Sequence, residues 1–113
     1  MRRFLFVALT VVMVLPLAAL AETWQNAPLI DRMCSAKVKA DPDKHPASCA
    51  IQCAASGYGI FTPSGEYLKL DKAGNDKALA ALKATKKKDH VRADVTGELK
   101  GDTIQVTSLT IPD

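Results

Sequence analysis

Phe4 to Leu20 form an apolar run without a charge behind the basic start Met1-Arg2-Arg3, which leaves the chain beyond it to build a folded core. Ala19-Leu20-Ala21 before Glu22 fits a small-residue cleavage site, and together these features match a secretory leader. A membrane anchor fits less well, because the run is barely long enough to span, holds Pro16 near its end and leads directly into polar sequence. No cysteine adjoins the expected cut to take a lipid, and no longer translocation motif surrounds the two arginines. We therefore expect residues 1–21 to be a signal peptide. The mature protein should be soluble, periplasmic or secreted, with no membrane anchor after cleavage.

Taking 21 residues from 113 leaves 92, enough for a single domain over residues 22–113 with one modest core. Removing Arg2 and Arg3 from the 15 basic residues leaves 13 against 12 acidic ones, a net charge of +1. That balance argues against a general nucleic-acid binder, which needs a strong basic excess. The short run Lys86-Lys87-Lys88-Asp89 reads as a solvated connection rather than an anion-binding rim.

Along the mature chain, Glu22 to Pro28 reads as a loose lead-in and Leu29 to Cys34 as a first strand. Ser35 to Lys44 reads as a loop around Asp41-Pro42-Asp43. Pro46 can open a helix through Ala55 that stops at Gly57. Tyr58 to Thr62 and Glu66 to Leu70 flank Pro63-Ser64-Gly65, a hairpin signal. After a turn at Asp71 to Asn75, the spacing predicts a helix over Asp76 to Thr85 with Leu79 and Leu82 facing the core. Val91, Ala93 and Val95 alternate with polar residues, and a second strand lies beyond Gly101. Its apolar phase changes from even positions, Ile104 and Val106, to odd ones, Leu109 and Ile111, so a bulge is expected near Thr107 and Ser108.

This order gives a mainly β, α+β fold. We expect a small five-stranded OB-like barrel with one helix inserted after strand 1 and another between strands 3 and 4. Closure would hide the sheet edges around one interior. An open α+β sandwich is the alternative. Cys34, the segment His45 to Gly59 and the segment Thr96 to Ile104 resemble those of small exported bacterial proteins of uncharacterised function with an OB-like domain. The resemblance covers most of the mature chain. It implies location and shape, and it transfers no catalytic residues.

All three cysteines, Cys34, Cys49 and Cys53, fall within twenty positions and share that stretch with His45. An odd count leaves one thiol over after any pairing. Export favours oxidation, so a disulfide from Cys34 to Cys49 or to Cys53 is the first expectation. A bridge from Cys49 to Cys53 would be strained across one helical turn. If the segment is helical from its start, His45, Cys49 and Cys53 form a stripe, and Cys34 can fold back to complete a site with three cysteines and one histidine for zinc or copper. Otherwise no cofactor is expected. Thiol-redox activity ranks third, because Cys-x3-Cys lacks the usual redox spacing.

Other chemistry is thin. A cysteine with His90 or His45 lacks an identifiable third group to orient it. Asp41 and Asp43 read as loop solvation rather than as cation ligands. Trp24 is expected to cover a barrel end and Phe61 to pack in the core. Tyr58 and Tyr67 lie on the strands where OB barrels commonly meet ligands and form a candidate ligand face. The sequence thus points to an exported noncatalytic binding or structural module held by a local disulfide. The alternative is a periplasmic metal-binding protein. A small ligand or an envelope protein would be the partner, and the leftover thiol leaves a disulfide-linked dimer open.

Overall fold

A computed structural model describes residues 21–112, so the expected leader, apart from Ala21, lies outside the described residues. Among these, the strands are β1 (Glu22–Asp31), β2 (Tyr58–Phe61), β3 (Tyr67–Leu70), β4 (Arg92–Lys100) and β5 (Thr103–Thr110). They form a closed barrel in the order β1-β2-β3-β5-β4. Neighbouring strands are antiparallel except β3 and β5, whose short parallel seam pairs Lys69 with Thr103 and Leu70 with Ile104. The fold is therefore the OB-like barrel expected, and the open sandwich is set aside.

Alternation supplies the interior. Val91, Ala93, Val95, Ile104 and Val106 are buried together with Leu29, Ile60, Leu68 and Leu70 in one core cluster. The phase change in β5 is a bulge at the expected place: Thr96 pairs with Ser108 but Gly97 with Val106, leaving Thr107 as the extra residue.

β1 begins earlier than the sequence suggested. Glu22 to Pro28 is strand rather than loose lead-in, paired with β4 from Glu22–Gly97 to Pro28–Arg92. A second bulge obscures its alternation, because Gln25 and Asn26 together occupy the space opposite Asp94. Asn26 takes φ of 53° there and donates its N–H to Asp94 Oδ1 at 2.8 Å.

Helix α3 (Lys72–Ala84) joins β3 to β4 and also starts one turn earlier than expected. Asp71 Oδ1 accepts the Gly74 N–H at 2.8 Å, a capping bond that converts the expected turn into the first helical turn. Ala78 and Leu82 are buried, whereas Leu79 is only partly so. Gly74 sits against β5, where a Cβ would lie 2.5 Å from Val106 Cγ2.

The connection from β1 to β2 carries the other helices, α1 (Ser35–Val38) and α2 (Ala47–Gln52), with 3-10 turns at Arg32–Cys34, Pro42–Lys44 and Ala54–Ser56. It folds over the barrel wall. Ala47 and Ala50 of α2 join the core, and every residue of β2 is buried.

Candidate functional site

The chain leaves β1 and re-enters β2 through two turns that lie side by side. Asp31, the last residue of β1, pairs with Tyr58, the first of β2, and the pairing continues as Arg32 N–H donates to Gly57 O at 2.9 Å. Gly57 takes φ of 81°, a left-handed conformation that favours glycine, and a Cβ there would also crowd the Arg32 guanidinium at about 3 Å. Asp31 caps the departing turn, its Oδ2 accepting the Cys34 N–H at 3.1 Å. On the returning turn, Ser56 Oγ donates to Cys53 O at 2.8 Å and accepts the Met33 N–H at 3.3 Å.

This arrangement brings sulfur together. One carboxylate oxygen of Asp31 and the sulfurs of Cys34 and Cys53 all lie within 4.8 Å of one another. Cys53 Sγ is 3.8 Å from Met33 Sδ. Met33 is 66% exposed, an unusual position for a large apolar side chain beside a turn. No disulfide joins the three cysteines in this structure, and each is half-buried. Burial pushes the Cys34 thiol above its ordinary value of 9.0, and the neighbouring Asp31 carboxylate adds to the shift.

The four residues expected to share a metal do not converge. Cys34 and Cys53 meet Asp31, while His45 and Cys49 stand outside that group. The reason is local. Pro46, with φ of −69° and ψ of 143°, is the extended cap of α2, so the helix begins at Ala47 and His45 is not on its face. Cys53 is the opposite cap, already departing from helical geometry. The expected stripe therefore does not form.

His45 instead directs Nε2 to Asp31 Oδ1 at 2.7 Å, in a pair where Asp31 is 0% and His45 9% exposed. This buried pair ties the insertion to the end of β1. The sequence flagged His45 through its spacing from the cysteines and held no signal for Asp31.

Tyr58 does not belong to a ligand face. It is 1% exposed, with its hydroxyl donating to Ala50 O at 2.8 Å, and so pins α2 to β2. Tyr67 is half-buried; its hydroxyl donates to Ile30 O at 2.8 Å, and its ring packs at 5.1 Å from Phe61. Burial raises the pKa of both phenols. Phe61 is in the core as expected.

A separate groove of about 560 Å³ opens between the N-terminal half of β1 and the β2–β3 turn, lined by Trp24, Asn26, Phe61, Pro63 and Arg92 among others. Asp43 forms a two-pronged pair with Arg92, at 3.0 Å to Nε and 2.9 Å to a terminal nitrogen, while Asp41 lies 3.3 Å from Lys44. These two carboxylates thus answer local cations. His90 lies in the loop before β4, its Nδ1 2.9 Å from Asp89. No family model, curated protein or solved structure matches the chain.

Proposed function

We propose that this chain is an exported, noncatalytic OB-like module whose β1–β2 insertion is fastened by a Cys34–Cys53 disulfide, with Cys49 as the remaining thiol. The observation that carries this reading is the approach of the Cys34 and Cys53 sulfurs to within 4.8 Å on the two turns that bracket the insertion. Bonding at about 2.05 Å asks the sulfurs to close by no more than about 3 Å, a range that side-chain rotation can cover.

Two features speak against thiol catalysis. The raised pKa of Cys34 lowers its thiolate fraction, the reverse of what a nucleophilic or redox-active cysteine needs. His45 directs Nε2 to a carboxylate instead of to a thiol. A binding role would use the groove beside Trp24 and Phe61, for a small ligand or a segment of an envelope protein.

Intact mass with thiol counting on protein recovered from the export compartment tests the bridge. The expected result is one free thiol, identified as Cys49 by peptide mapping. Cys34→Ser should lower unfolding stability by about 3 kcal/mol, the scale for closing a loop of this length. Three alkylatable thiols in the oxidised preparation would refute the bridge, as would an unchanged urea midpoint for Cys34→Ser.

A further inference from the structure

We infer that Met33, Cys34 and Cys53 form a three-sulfur site for a single Cu(I) ion when the two cysteines are kept as thiols. The inference concerns the same sulfur pair as the proposed bridge, in its reduced state, and the two states exclude each other.

Three observations carry it. First, the two separations from Cys53, the sulfur common to both pairs, suit one ion. A metal about 2.3 Å from each of three sulfurs in a plane holds them about 4 Å apart. Cys53 Sγ to Met33 Sδ is 3.8 Å, and Cys34 Sγ to Cys53 Sγ is within 4.8 Å.

Second, Met33 is held out of the core. Its side chain is 66% exposed while its N–H is bound to Ser56 Oγ on the same turn that bears Cys53. Burial of apolar surface does not account for a thioether presented there.

Third, both oxygens of Asp31 already hold hydrogen bonds beside the sulfurs. Its Oδ1 faces His45 Nε2 at 2.7 Å and its Oδ2 accepts the Cys34 N–H at 3.1 Å, so the carboxylate supports the site from behind. The sulfur donors beside it are two half-buried thiols and an exposed thioether. The thioether decides the metal: thiolate with thioether is a soft donor set that selects Cu(I), whereas a thioether is not among the usual ligands of zinc.

The test uses the mature chain, reduced and kept anaerobic, titrated with Cu(I) against a chromophoric Cu(I) chelator. We expect one equivalent to be held, with thiolate-to-copper absorbance and an X-ray absorption spectrum of sulfur neighbours only. Cys34→Ser and Cys53→Ser should each abolish competition with the chelator. Met33→Leu, which preserves bulk, should weaken binding roughly tenfold, and Cys49→Ser should leave it unchanged. Circular dichroism confirms that each variant is folded; should a cysteine variant unfold, Met33→Leu and Cys49→Ser still decide. Full affinity in Met33→Leu, loss in Cys49→Ser, or nitrogen and oxygen neighbours in the spectrum would overturn the inference. Failure to hold Cu(I) leaves the oxidised bridge untouched, and a missing bridge in the thiol count leaves the Cu(I) result standing.

Discussion

Asp31 is a carboxylate with no exposure at the end of a strand, and it serves two donors from opposite sides, His45 Nε2 and the Cys34 N–H. Removing it strands both. Asp31→Ala should therefore cost about 3 kcal/mol, the scale for leaving buried polar partners unsatisfied. Urea unfolding reads this out, and a loss below about 1 kcal/mol would show that the pair does not anchor the insertion. The same residue marks the limit of what sequence could reveal of the site. The cysteine cluster was visible, and so was the return of Cys34 towards it. Asp31 was not, because its partner lies fourteen positions away in a loop whose path depends on tertiary folding. His45 was assigned to the thiols through a four-residue period that holds only inside a helix, and the extended Pro46 cap places it before one. Met33 carried no signal, since an isolated methionine beside a cysteine reads as ordinary strand.

Helix α3 shows how element boundaries escape pattern reading. Gly74 and Asn75 look like turn residues, yet the Asp71 cap draws both into the helix, and the missing Cβ of Gly74 lets that first turn touch Val106. Gly74→Ala should gain up to about 1 kcal/mol of helix propensity and lose more to overpacking, which costs about 1 to 3 kcal/mol. Val106 Cγ2 at 2.5 Å and Leu70 Cβ at 2.9 Å leave little room to yield, so the expected net effect is destabilising. A higher melting temperature for Gly74→Ala would contradict this packing. The β2–β3 hairpin was legible because aromatic and branched residues flank strong turn chemistry. The Thr107 bulge was legible because a change of apolar phase needs one. The first half of β1 was hidden, since Gln25 and Asn26 interrupt its alternation and its partner, β4, lies about seventy positions away in sequence.

At the scale of the whole barrel, the two tyrosines of the chain act as fasteners: the Tyr58 hydroxyl donates to Ala50 O and holds α2 to the wall, and the Tyr67 hydroxyl donates to Ile30 O and ties β3 to β1 within it. Burial raises both phenols above their ordinary value of 10.0, so the folded chain keeps these protons longer than the unfolded one. Stability from these groups is then intact below pH 10.0 and falls as pH climbs past it. An alkaline titration followed by phenolate absorbance and circular dichroism should show ionisation delayed beyond the ordinary value and coincident with loss of structure. Phenolate forming at the ordinary value in a chain that stays folded would contradict it.

The parallel join of β3 to β5 is only two residue pairs long, and Asp71 comes directly after it. Besides capping α3, its Oδ1 lies 3.3 Å from the Val106 N–H, and its own N–H donates to Ile104 O at 3.0 Å. A single side chain is thus both hinge pin for the helix and clasp for the ring of strands. Fraying at Lys72 and Ala73 cannot proceed far without loosening the clasp, so unwinding of α3 and parting of the ring should occur as one cooperative event.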